Sequence, residues 1–159
     1  MTSPPESRRA EPRRVTGLAV RTTNAAEADR STARIPVLWS RFDSERWPQR
    51  LEALGAFGPT LAVYSAYESD VSGGYQILVG RERHASSAVS PPLEVIATPG
   101  GQYLVFTCPG PLPRAVIDGW RDVWALFVRP NAPLRAYTVD FEIYPDAKPV
   151  EIWVAVREH

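Results

Sequence analysis

The stretch Val139–Pro145, VDFEIYP, followed after the turn DAKP by Val150–Val156, VEIWVAV, decides how the chain is to be read. Side chains of a strand alternate between two faces, so Phe141 and Ile143 fall on one side while Asp140, Glu142 and Tyr144 fall on the other. The second run sets Val150, Ile152, Val154 and Val156 on one face and Glu151, Trp153 and Ala155 on the other. Two alternating runs joined by a short Asp/Pro turn predict a closing β-hairpin. Glu142 then lies opposite the obvious apolar face, and Trp153 is expected to share its side.

Upstream of this hairpin, PGPLPRAVIDGWRDVWALF (109–127) opens on prolines and places Val116, Trp120, Val123 and Phe127 at helical spacing, which predicts an amphipathic helix. The strand GGQYLVFTC (100–108) precedes it, and the short run LEVIATP (93–99) comes before that strand. Earlier still, TLAVYSAY (60–67) and YQILVG (75–80) flank ESDVSGG, a second hairpin with a medium loop. Val15–Thr22 reads as a strand. Asn24 with Glu27 three residues later is a helix-start signal, and Ile35, Leu38, Trp39 and Phe42 carry the apolar face onward, with a kink predicted at Pro36. The order strand, helix, hairpin, connecting strand, strand, helix, hairpin predicts an α+β fold made by internal duplication. Both hairpin turns lead from an aromatic to an acid: Tyr67-Glu68-Ser69-Asp70 and Tyr144-Pro145-Asp146.

Residues 1–14, MTSPPESRRAEPRR, mix Pro, Ser, Arg and Glu without apolar periodicity and are expected to be a disordered, solvated tail ahead of one domain spanning 15–159. With 159 residues and 44% hydrophobic content the chain suits one core and leaves no room for a separate DNA-reading module. Eighteen basic residues balance eighteen acidic ones, which argues against a nucleic-acid partner. No apolar run reaches the roughly 20 residues of a membrane span, and the start does not resemble a signal peptide. Together with a single cysteine, Cys108, these features predict a cytoplasmic protein.

The four pieces IPVLWSRF (35–42), VYSAYESDVSGGYQILVG (63–80), PGPLPRAVIDGWRDVW (109–124) and DFEIYP (140–145), in this order, resemble the GyrI-like domain, the effector-binding domain of AraC-type transcription activators. The resemblance covers residues 15–157. It implies a pseudo-twofold pair of strand-helix-strand-strand units, an antiparallel sheet with two main helices and a central ligand cleft. It also implies a stand-alone member that binds bulky hydrophobic or cationic small molecules, for drug sensing or sequestration. Within the family some members hydrolyse cyclopropane-bearing DNA-alkylating antibiotics, a self-resistance activity, and one group inhibits gyrase, so both are alternatives for this chain.

By that resemblance Glu142 matches the acid on the floor of the cleft, where the bland alternative is a solvated strand face. A carboxylate walled by rings needs a positive partner or a proton. A lipophilic cation held by Trp153, Tyr144 and Tyr67 gives a binding module, with Trp120 and Trp39 either lining the cleft or packing as core. A raised pKa gives a general acid or base, with Tyr67 or Glu68 assisting, although Glu68 reads more readily as an exposed turn-edge carboxylate.

Trp124 reads as packing. His84 and His159 lack zinc-ligand spacing, Cys108 has no activating neighbour in sequence, and the glycine pairs at 73–74 and 100–101 precede strands, so neither metal nor cofactor is expected.

Overall fold

Pairing across eight strands, most of them runs of β-branched and aromatic residues, organises the fold, which a computed structural model describes over residues 4–69, 72–84 and 89–158. The strands are β1 (Glu6–Ala10), β2 (Arg13–Thr23), β3 (Ala56–Ser65), β4 (Gly74–Arg83), β5 (Glu94–Thr98), β6 (Gly101–Cys108), β7 (Asp140–Tyr144) and β8 (Val150–Ala155). They form one open antiparallel sheet in the order β1-β6-β8-β7-β3-β4-β2-β5. The order mirrors itself about the central β7–β3 pair. The duplication therefore extends further than the hairpins: β5 leads into β6 and pairs with β2, while β1 leads into β2 and pairs with β6.

That exchange corrects the expectation of a disordered tail. Residues 6–10 pair with Gly101–Val105, and their arginines find partners that composition cannot show. The Arg8 guanidinium lies 5.0 Å from the Trp153 ring centroid, and Arg9 donates to Glu158 at 2.6 Å. Only residues 1–3 of the expected tail lie outside the described residues. Links of two residues, Glu11-Pro12 and Pro99-Gly100, join strands at opposite ends of the sheet. The sheet must therefore curl. Its helix-free face buries Val15, Leu61, Val63, Leu78, Tyr103, Phe141 and Trp153.

The other face carries the helices. In place of one long kinked helix from Asn24, the structure has α1 (Asn24–Glu27), a turn, and α2 (Ile35–Ser44). Pro36 lies in the first turn of α2, where its missing N–H costs nothing, so it starts a helix and does not bend one. The cap of α1 is Thr23, whose hydroxyl accepts from Ala26 N. Glu27 serves α2 instead, accepting from the amides of Arg34 and Ile35. A further short helix, α3 (Trp47–Ala53), packs Trp47 and Leu51 beside Leu38 and Phe42 of α2 over β2, β3 and β4. In the second repeat α4 (Arg114–Phe127) packs over Phe106, Cys108, Ile152 and Val154.

Gly119 lets α4 come close to the sheet. A Cβ there would stand 2.4 Å from Cys108 Sγ and 2.9 Å from Ile152 Cδ1. We expect Gly119→Ala to force α4 outward and lower stability by about 1–3 kcal/mol, the usual cost of overpacking, read as a fall in the urea midpoint.

Candidate functional site

Two helices from different repeats overhang the central strands, and a single carboxylate lies beneath them. On β7 Glu142 faces Ala62 of β3 and Ile152 of β8, a small and an apolar neighbour that leave the carboxylate no cationic company from the sheet. Glu142 is 1% exposed. Its Oε2 accepts from Tyr64 Oη at 2.7 Å and from Trp120 Nε1 at 2.6 Å, and its Oε1 accepts from Tyr144 Oη. Strand alternation supplies Tyr64 and Tyr144, while α4 supplies Trp120. Around these donors the rings interlock. Trp39 of α2 packs edge-on to Tyr144 at 4.8 Å, Tyr64 packs against Trp120 at 5.2 Å, and Tyr75 of β4 lies 5.8 Å from Tyr64.

Burial pushes the Glu142 carboxyl above its ordinary range, and the hydrogen bonds from Trp120, Tyr144 and Tyr64 only partly oppose that rise. Burial and the nearby carboxylate also hold the phenols of Tyr64 and Tyr144 well above their usual range, so both stay donors at any physiological pH. No ion pair among the described residues includes Glu142.

A consequence for stability follows from the direction of that shift. The folded state holds the Glu142 proton more tightly than the unfolded chain does. Its contribution is therefore fully present below the unfolded glutamate pKa and is lost as pH rises through the higher folded value. We expect the stability difference between Glu142→Gln and the parent to grow in favour of the variant across that window, measured by urea unfolding at a series of pH values. A difference that stays flat with pH would show that burial does not shift the carboxyl.

The second acid of β7 is treated differently. Asp140, fully buried, accepts from Arg135 Nη2 at 2.7 Å, from Ala155 N at 2.7 Å and from Tyr67 Oη at 2.5 Å. Two buried carboxylates thus stand two residues apart on one strand, one with a guanidinium partner and one without.

Of the residues the sequence singles out, Glu142, Tyr144, Trp120 and Trp39 come together. Tyr67 does not reach Glu142: its hydroxyl is spent on Asp140, and its ring lies between Tyr75 and Tyr137. Glu68 is also elsewhere. Its exposed side chain accepts from Gly74 N at 2.8 Å and lies 4.0 Å from Arg21, the turn-edge role that sequence reasoning favoured. Asp70 of that turn, like His159, lies outside the described residues.

Trp153 is the correction. The register pairs Phe141 with Trp153 and Glu142 with Ile152, so Trp153 stacks on Phe141 at 5.4 Å on the helix-free face. Alternation within each strand is read correctly from the sequence, but one residue of register decides which faces coincide. Tyr64 and Tyr75 went unrecognised. Tyr64 alternates with Ala62 and could have been found by carrying the Glu142 face across to β3.

The eight-stranded antiparallel sheet carrying helices over its two repeats is the fold that the resemblance to GyrI-like effector-binding domains implies. The chain belongs to the Cass2 family, described as integron-associated effector binding protein, whose model matches residues 9–156. The Vibrio cholerae integron cassette protein VCH_CASS2 is 34% identical, with a TM-score of 0.84 over 98% of this chain and 97% of that one. YobU of Bacillus subtilis (strain 168), whose name places it among candidate transcriptional regulators, is 33% identical over 92% of this chain and 93% of its own. SAV2435, solved bound to tetraphenylphosphonium, shares the fold at 21% identity, with a TM-score of 0.79 over 98% of this chain and 94% of that one.

Proposed function

We propose that this protein binds bulky lipophilic cations beneath α2 and α4, for sensing or sequestering such compounds, with Glu142 as the counter-charge. The observation that carries this reading is a carboxylate that is 1% exposed, held by three hydrogen-bond donors and facing no basic side chain among the described residues. An ionised carboxylate left in that state costs several kcal/mol, which a bound cation offsets directly. The surrounding rings offer their faces to the same charge.

Small-molecule binding by a relative supports the class, since SAV2435 was solved with a tetraphenyl cation. In the described conformation the rings close over the acid, and entry of a ligand requires Trp120, Tyr144 and Trp39 to give way. The donors that satisfy Glu142 are then the groups the cation displaces. Titration with tetraphenylphosphonium followed by tryptophan quenching tests this reading: we expect saturable quenching, because Trp120 donates to the acid and Trp39 packs on Tyr144, another of its donors, and an absence of quenching would contradict it.

A second reading rests on the raised carboxyl of Glu142, the state from which a general acid works. In that case the chain would ring-open a strained alkylating compound. Product exceeding one equivalent of protein, measured by mass spectrometry, separates catalysis from capture.

A further inference from the structure

A second place in the molecule brings positive charge against an apolar wall, away from the helix-roofed acid. Residues 133–137 run beside the end of β8, with Arg135 bridging Val156, Ala136 N donating to Ala155 O and Arg157 N donating to Leu134 O. Between this segment and the end of α4 lies a concavity of about 210 Å³, lined by Phe127, Pro133, Leu134, Arg135, Tyr137 and Arg157. Two of these six are guanidinium side chains.

Arg135 is 8% exposed, and its guanidinium carbon sits 4.4 Å from the Tyr137 ring centroid and 5.9 Å from that of Phe127. One of its five donors goes to Asp140 Oδ2, and its Nε is buried without a hydrogen-bond partner. Asp140 has little left to offer, because Tyr67 shares Oδ2 and Ala155 N takes Oδ1. Arg157 is exposed and enters no ion pair among the described residues. The carbonyl end of α4 contributes a partial negative charge of about half a unit, and Asp140 one full unit, against two guanidinium charges. The balance at the concavity stays positive.

We propose that this concavity binds a small organic carboxylate with an apolar body. The carboxylate takes Arg157 and the donors of Arg135 that Asp140 leaves unused, in the forked geometry that guanidinium groups favour. The body lies on Leu134, which is 63% exposed, and on the rings of Phe127 and Tyr137. A volume near 210 Å³ suits a ligand the size of benzoate.

Calorimetric titration with benzoate tests the assignment, with inorganic phosphate as a second probe and the exposed Arg157 as the mutated position. We expect millimolar binding of benzoate, weakened about tenfold or more by Arg157→Glu and unchanged by Glu142→Gln. Failure of benzoate to bind, or equal binding by Arg157→Glu, would overturn the proposal. Binding of phosphate without benzoate would also overturn it, since the apolar wall would then contribute nothing. Loss of benzoate binding in Glu142→Gln would place the ligand in the cation site instead. Melting curves of the variants, read alongside, distinguish a lost site from a lost fold.

Discussion

Replacing Asp140 with alanine is expected to cost about 3–5 kcal/mol, the penalty for stranding one partner of a buried ion pair. Arg135 would remain buried with its guanidinium unpaired, Ala155 N would lose its acceptor, and the hydroxyl of Tyr67 would lose its bond to the carboxylate. Each neutral donor left without a partner adds about 1–3 kcal/mol. Domains of this kind hold roughly 5–15 kcal/mol in total, so Asp140→Ala should be close to unfolded at room temperature. Urea unfolding measures the loss. The double variant Arg135→Met with Asp140→Ala should recover part of it, because removing both charges removes the uncompensated cation. A single variant as stable as the parent would mean that the pair contributes little to folding.

The other large effect concerns ligand binding. Glutamine at position 142 matches glutamate in shape. Its carbonyl oxygen can accept from Tyr64 and Trp120 as Oε2 does, while the Tyr144 hydroxyl can turn to accept from the new amide. The fold should therefore survive and only the charge should go. For a desolvated charge pair, losing one member costs about 2–5 kcal/mol, so we expect tetraphenylphosphonium to bind Glu142→Gln about a hundredfold more weakly than the parent. Aromatic contacts with Trp39 and Trp120 remain in the variant, which is why residual binding is expected.

The contrast between these two substitutions follows from the neighbours each acid has. Asp140 has its countercharge built in and acts as a structural anchor. Glu142 has donors but no countercharge among the described residues, so removing its charge relieves the folded state and handicaps the ligand.

Much of this arrangement was legible in the residues. The α+β class, both hairpins, the helix over 114–127 and the placing of Glu142 on the strand face opposite Phe141 follow from periodicity and from the resemblance of ordered motifs. The face of Trp153 was not legible, because alternation fixes which side chains of one strand go together but not the register between strands. The strand at 6–10 escaped for a related reason. Its residues, Glu-Ser-Arg-Arg-Ala, carry no apolar period, and they are held by pairing with β6, about 95 positions along the chain, and by Arg8 over Trp153. The duplication held a usable hint, since Thr98-Pro99 leads into β6 much as Glu11-Pro12 leads into β2. Pro36 misled because proline breaks a helix interior yet favours a helix start, and only the turn at 28–34 decides between them.

Within the site, the residues pointed to Glu142 with Tyr144, left Trp120 and Trp39 open between cleft wall and core, and assigned Tyr67 to the wrong carboxylate. Tyr67 and Tyr64 lie three residues apart at the end of β3, and the strand ends between them. Past that end, alternation no longer applies, so Tyr64 keeps the Glu142 face while Tyr67 reaches Asp140.

The central claim is that the charge on Glu142 selects a cation, and the preference of the protein for charged over neutral ligands measures it most directly. Tetraphenylphosphonium and the neutral triphenylphosphine oxide should be titrated against the parent and Glu142→Gln under identical conditions. The account predicts that the parent prefers the cation by about a hundredfold more than the variant does, with the neutral compound binding both equally. A preference that is the same in the two proteins would contradict it.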